Sequence, residues 1–226
     1  MELYDAMSTL RAVRRLKPDP IPRDVLHRIL EAATWAPTGG NTQPWRILVV
    51  EDAAKKKALA ELYRGVWYAY SKHHMSLIKD APESVRVSTE KMLDAGNYLA
   101  DHFDETPSIL IFCFNPKNMA ITDAALSRIS VVGGGSIYPA VQNALLACRV
   151  EGIGCVLTTL LCQSEEEVRA ILEIPEPWGT AAAVPIGYPI RGGHGSISRK
   201  PVEKLVYQDS WGTSFSADSA STTPKN

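Results

Sequence analysis

Four cations fall within seven residues in "LRAVRRLKPDPIP": Arg11, Arg14, Arg15 and Lys17. Like charges this close repel unless solvent or an anion separates them. The stretch therefore reads either as a solvated basic patch or as a grip for a phosphate. If the stretch is helical, Arg11, Arg14 and Arg15 share one face at i, i+3 and i+4. A second basic pair, Arg199–Lys200, follows the glycine-rich approach "RGGHGSIS". It matters only if the fold carries Arg199 beside the N-terminal arginines. One RGG-like tract in a chain of net charge −1 gives little support to an RNA partner.

A third stretch, "APTGGNTQPW" at residues 36–45, packs two glycines, two prolines, an Asn, a Gln and a Trp into ten positions. Asn41 and Gln43 can each donate and accept hydrogen bonds, and the glycines allow another group to come close to the backbone. Pro44 and Trp45 suit an anchor in the core. By contrast, "VVGGGSIYPAV" only imitates a dinucleotide loop. Gly133 and Gly135 fit the first two glycines of G-x-G-x-x-G, but Tyr138 takes the third place and no acidic residue ends a second strand about 20 positions on.

Cys113, Cys148, Cys155 and Cys162 all lie in apolar segments, with neither C-x-x-C nor zinc-ligand spacing. They read as small buried hydrophobes in a reducing compartment, a redox-active pair being the alternative. No Ser or Cys sits in a nucleophile elbow. His73 and His74 read as surface or lid residues, and His27 falls opposite the apolar face of its helix.

These residues need a scaffold, and 226 residues, 45% hydrophobic and 22% charged, are enough for one sizeable core. The near-zero net charge excludes whole-surface attraction to nucleic acid or anionic lipid. The N-terminus has no signal-peptide pattern, and no run approaches the roughly 20 apolar residues of a membrane span. The expectation is a soluble, cytoplasmic chain.

Apolar spacing predicts a helix over Pro22–Ala33, a strand at Ile47–Glu51, and a helix from an Asp52 cap through Tyr63. Residues 64–106 hold aromatic "RGVWYAYSKHHM" and helical "EKMLDAGNYLADHF". "SILIFCF" at Ser108–Phe114 reads as a strand covered on both faces. A helix follows, with Ile137, Val141, Leu145 and Cys148 on one face, and then a strand in "IGCVLTTLL". Ser164 and Glu167 fit a capping box for a helix that ends before Pro175. "GTAAAVPIGYP" reads as a buried strand, and Pro201 as the start of a last helix. The small polar stretch 213–226 is expected to move freely unless a partner holds it. These elements compose one α+β or α/β domain over 1–212.

Four motifs in this order, "RAVRRLKPDPIP", "APTGGNTQPWRILVV", "YPAVQNALLACRVEGIGCVLTTL" and "SRKP", resemble the nitroreductase family of FMN-dependent oxidoreductases. The resemblance implies an α/β/α sandwich of α+β class, with a mixed, mainly antiparallel central sheet flanked by helices. It also implies a homodimer with flavin sites at the interface. In such sites Arg11, Ala12, Val13, Arg14 and Arg15 match the segment that grips the FMN phosphate and ribityl chain, Ala12 standing where many members have Ser. Pro37, Thr38, Gly39, Asn41 and Gln43 match the loop along the flavin, usually the partner subunit's. Leu157, Thr158 and Thr159 match backbone near flavin N5, and Arg199 the late basic residue on the phosphate.

The implied chemistry is hydride transfer from NADH or NADPH through flavin N5 to a small aromatic acceptor, nitroaromatic or quinone, in ping-pong order. No side chain acts as acid or base and no metal takes part. The same fold could instead serve reductive dehalogenation, flavin fragmentation, substrate dehydrogenation, or flavin binding without turnover. Trp67, Tyr68, Tyr70 and His73 read equally as a lid within a variable 64–106 insertion or as plain surface helix.

Overall fold

A computed structural model describes residues 1–215. Its centre is a four-stranded sheet in the order β1 (Trp45–Val50), β2 (Ser108–Phe114), β4 (Gly179–Gly187), β3 (Gly154–Cys155). All three ladders are antiparallel, Trp45 opposite Phe114, Leu110 opposite Val184 and Cys155 opposite Ile186. The apolar run of β2 is explained by what covers it. Ile109, Ile111 and Cys113 pack on one side, while Leu110 and Phe112 pack on the other. Helices cover both faces, so the strand is buried in both directions, as a continuous apolar run requires.

One face is covered by α3 (Ala53–Leu77), α4 (Glu83–Asp101) and α6 (Glu165–Leu172), which contribute Leu59, Tyr63, Trp67, Leu93, Leu99 and Val168. The other is covered by α2 (Arg23–Thr34) and α5 (Tyr138–Val150), through Leu26, Ile29, Val141 and Cys148. A short N-terminal helix, α1 (Leu3–Thr9), precedes them. The α/β/α sandwich of α+β class is as expected. No helix among the described residues is long and apolar enough to cross a membrane.

Several local expectations change. Asp52 does cap α3, its Oδ1 accepting the Lys55 N–H at 2.8 Å, but the helix continues past Tyr63 to Leu77. Ser164 makes no cap bond; the Glu165 carboxylate instead accepts the backbone N–H and hydroxyl of Thr180 in β4. Pro201 starts only a single turn, Val202–Lys204, because Leu205, Val206 and Tyr207 stay exposed and gain no packing. The strand in "IGCVLTTLL" shortens to two residues plus a bridge from Thr158 to Ala183. Of the tail beyond Gly212, Thr213 and Ser214 close a turn on Gln208 and Tyr207, and residues 216–226 lie outside the described residues.

The basic segment is extended, so the face that Arg11, Arg14 and Arg15 would share on a helix does not form. α1 stops at Thr9, and the chain then runs along the β3 end of the sheet. Val13 N–H donates to Cys155 O at 2.9 Å and Lys17 N–H to Tyr188 O at 2.7 Å. The Ile190 N–H donates to Arg15 O at 3.0 Å. These long-range bonds, with Pro18 and Pro20 just downstream, outweigh any helical preference. Gly154 makes the close approach possible, since a Cβ there would lie 2.7 Å from Leu16 Cδ2.

Candidate functional site

Val13 is buried, while Arg11 and Arg14 reach a cleft of about 240 Å³ together with Ala12, Leu157 and Arg199. Arg199 is separated from Arg11 by most of the chain. It returns because the segment after β4 folds back onto the N-terminus: Gly195 N–H donates to Thr9 O at 2.9 Å, and Arg11 Nε donates to Gly193 O at 2.9 Å. Gly193 has φ +67°, a left-handed conformation that presents this carbonyl without a Cβ penalty. No Asp or Glu lines the cleft, and among the described residues Arg11, Arg14 and Arg199 have no carboxylate partner.

Arg14, Val156 and Leu157 also border a second cleft of about 230 Å³, walled by Tyr63, Trp67, Tyr70, Thr158 and Thr159. The two clefts adjoin along these shared walls and are taken together as a furrow, basic at one end and aromatic at the other. Both N–H and C=O of Thr158 are taken by Ala183, at 2.9 and 2.8 Å. The N–H groups of Leu157 and Thr159, both exposed, donate to no acceptor among the described residues. Of the three matched positions, these two keep free backbone donors.

Tyr63 was missed as a wall, although Tyr63, Trp67 and Tyr70 lie at i, i+4 and i+7 on α3 and that spacing marks one helical face. Burial raises the Tyr63 hydroxyl above the usual tyrosine value, against smaller opposing effects of Thr158 and Arg14. Trp67 is neither lid nor surface. It is 5% exposed, and its Nε1–H donates to Asn97 Oδ1 at 2.8 Å. Tyr68 turns away to Asp101, and His73 is exposed. A larger hollow of about 710 Å³ lies between α3 and α4, but Lys72, Lys91, Glu90 and Asp94 give it mixed charge.

Two groups of expected residues lie outside the furrow. Arg15 points away: its guanidinium sits 4.3 Å from the Tyr98 ring centroid and 3.6 Å from Asp94. Thr38, Gly39, Asn41 and Gln43 form a tight loop that lines neither part, nor does Pro37. Gln43 N–H donates to Thr38 Oγ1, Gln43 Nε2 contacts Asn41 Oδ1, and Gly39 N–H donates to Ser136 Oγ. Pro44 and Trp45 are buried at its foot, the anchors expected of them.

The Nitroreductase family model matches residues 9–188. A protein of Thermus thermophilus described as NADH dehydrogenase is 34% identical over 206 residues, covering 87% of this chain and 90% of its own. Iodotyrosine deiodinase 1 of Rattus norvegicus is 24% identical over 91% of this chain and 68% of its own. The NADPH:FMN oxidoreductase of Vibrio harveyi, solved in complex with NAD+, superposes with a TM-score of 0.65 at 18% identity. That alignment covers 92% of this chain and 77% of the Vibrio chain, and supports the fold alone. With the family model spanning most of the sequence, the chain belongs to the nitroreductase family.

Proposed function

We propose that the chain is an FMN-dependent oxidoreductase that takes hydride from NADH or NADPH and reduces a small aromatic acceptor of nitroaromatic or quinone type. The observation that carries this reading is the furrow, with three carboxylate-free guanidiniums at one end and free amides beside an aromatic wall at the other. Arg11, Arg14 and Arg199 fit a phosphate, which guanidinium forks bind through charge-assisted hydrogen bonds. Ala12 and Val13 add backbone only, Ala12 lining the cleft and the Val13 N–H holding the segment to Cys155.

FMN bound there supplies a ring atom, N5, that accepts hydride from one nicotinamide and yields it to a second molecule. The N–H groups of Leu157 and Thr159 are positioned on the furrow wall to orient a flat polar ring and to favour charge gathering on it. Tyr63, Trp67 and Tyr70 enclose the space beside that ring, where donor and acceptor take turns in ping-pong order. Residues 1–212 act as one FMN-binding domain. The loop Pro37–Gln43, outward-facing in its own chain, serves the furrow of a second copy in a homodimer. A cytoplasmic location fits this dependence on nicotinamide donors.

Purified protein should absorb as a flavoprotein, and anaerobic NADH or NADPH should bleach it. Protein that stays colourless and takes up no FMN overturns the reading. A screen of nitroaromatic, quinone and iodotyrosine acceptors, followed by flavin reoxidation, then selects the reaction. The similarity to iodotyrosine deiodinase makes reductive dehalogenation the competing outcome. Flavin that no donor bleaches points to a binding protein.

A further inference from the structure

Thr159, exposed at the aromatic end of the furrow, also lines a separate cavity of about 390 Å³. Phe114, Ile137 and Ala181 give this cavity apolar walls, and the loop that follows β2 adds Met119 and Ile121. That loop is pinned. The Asp123 carboxylate, 6% exposed, accepts hydrogen bonds from Arg128 Nη1 and Ser130 Oγ, both at 2.6 Å. Gly133 lets the loop pack closely on itself, since a Cβ there would lie 2.9 Å from Met119 Cε. No Asp, Glu, Lys, Arg or His lines the cavity.

The polar side chains on its walls have committed their protons to the protein. The Tyr138 hydroxyl donates to Ala181 O at 3.2 Å, Thr180 Oγ1 to the Glu165 carboxylate at 3.0 Å, and Cys162 Sγ to Thr180 O at 3.3 Å. The Ser130 hydroxyl is taken by Asp123. Thr159 differs: its hydroxyl has no partner among the described residues and can donate to an incoming group. The boundary with the furrow therefore carries a donor, and the interior has none to spare. A charged group inside would be desolvated without a counter-charge, at a large penalty. A hydrocarbon ring meets no such cost and is drawn in by its apolar area. The volume is within the range of small-molecule pockets.

We propose that this cavity is a specificity subsite that takes the hydrocarbon lobe of an uncharged two-ring quinone, with a quinone carbonyl turned to the Thr159 hydroxyl. A fused-ring quinone has the matching polarity, because both carbonyls sit on one ring and the other ring is hydrocarbon. A one-ring quinone or a dinitro ring carries polar groups on opposite edges, and one of them would face an interior without free donors. Iodotyrosine, a zwitterion at neutral pH, finds no counter-charge here for its ammonium and carboxylate. The subsite narrows the acceptor class given above and rests on that reading for the reduction of the quinone. Binding of the ring does not depend on it.

The test uses Cys162 as a reporter, since it lines the cavity and is the least buried of the four cysteines. Burial raises its thiol, so the whole FMN-free chain is alkylated with iodoacetamide in alkaline buffer, and labelling of each cysteine is followed by mass spectrometry. The probe is 2,3-dimethyl-1,4-naphthoquinone, whose quinone ring offers no free position for thiol addition. At about tenfold its Kd it should slow labelling of Cys162 about tenfold, while iodotyrosine at the same concentration leaves the rate unchanged. Ile121→Glu puts a carboxylate on the cavity wall at a position 37% exposed, and should weaken this protection about tenfold or more. If that variant fails to fold, the wild-type comparison of the two probes decides alone. In FMN-loaded protein already bleached by a nicotinamide donor, the naphthoquinone should reoxidise the flavin at least about tenfold faster than iodotyrosine. Cys162 labelled equally with and without the naphthoquinone overturns the proposal. So does equal protection by iodotyrosine, or protection that a folded Ile121→Glu variant retains in full. Protein that takes up no flavin, yet whose Cys162 the naphthoquinone protects, counts against the function proposed above and supports the cavity as a binding site.

Discussion

The basic furrow and the 36–45 loop satisfy their polar groups in opposite ways. The furrow is assembled from stretches far apart in the chain and leaves its charges over: Arg11, Arg14 and Arg199 line one cleft without a carboxylate. The loop comes from one stretch and ties itself together through Thr38, Asn41 and Gln43. It does so at a cost, because Gly40, Asn41 and Gln43 all have positive φ, at 58°, 53° and 46°. Left-handed conformations at the two non-glycine positions cost about 1 kcal/mol or more each and persist where the surroundings demand them. The furrow is therefore ready to hold an anion within one chain. The loop is preformed and exposed, which is what the proposed contact with a second copy would need.

Removing one guanidinium is the strongest way to break the comparison. Hydrogen bonds to charged groups contribute about 1.5–3 kcal/mol, so Arg14→Ala should weaken FMN binding by about ten- to a hundredfold in a fluorescence titration. Arg11→Ala and Arg199→Ala should act in the same direction. If none of the three changes affinity, the basic end is a solvated patch.

The loop is tested by hybrid dimers. An Arg14→Ala chain paired with an Asn41→Gly chain places both lesions in one site if each loop serves the partner, and leaves the other site intact. Half the normal flavin content should then survive in isolated heterodimers, although each homodimer is depleted. Asn41→Gly keeps the left-handed backbone while removing the amide. A hybrid as empty as the homodimers places the loop beside its own chain's furrow.

Which parts of this could be read from residue order follows the range of the forces involved. The continuous apolar run of β2 and the apolar faces of α2 and α5 reflect burial at neighbouring positions, so they were legible. Spacing leaves open whether Arg11–Arg15 is helical, because Val13 and Lys17 bond to Cys155 and Tyr188, partners that local order does not reveal. The meeting of Arg11 with Arg199 depends on the return from β4 through Gly193, and only the family resemblance anticipated it. Trp67 could not be placed for a further reason: its burial depends on a glycine on another helix.

That glycine gives a smaller test, confined to the aromatic end. A Cβ at Gly96 would lie 1.9 Å from Trp67 Cζ2, so Gly96→Ala must displace the ring or the helix. Overpacking of this kind costs about 1–3 kcal/mol, readable as a shifted denaturation midpoint. The basic end is untouched, so FMN affinity should change less than acceptor turnover. Loss of FMN in step with stability would mean the two ends are not separable.

The smallest effect is expected one residue from the largest. Arg15 adjoins Arg14, but it lines neither of the clefts that Arg14 borders. Arg15 stacks on Tyr98 and approaches Asp94, with its side chain 47% exposed and that of Asp94 76% exposed. An exposed ion pair and a solvent-facing cation–π contact are each worth at most about 1 kcal/mol, and salt weakens the first. Arg15→Ala should therefore lower stability by about 1 kcal/mol or less and leave FMN affinity unchanged within error. The contrast with Arg14→Ala isolates geometry, since the two substitutions remove the same charge from adjacent positions. If Arg15→Ala instead costs tenfold or more in FMN affinity, net charge rather than direct contact governs the basic end, and the extended segment does not sort its arginines as its hydrogen bonds imply.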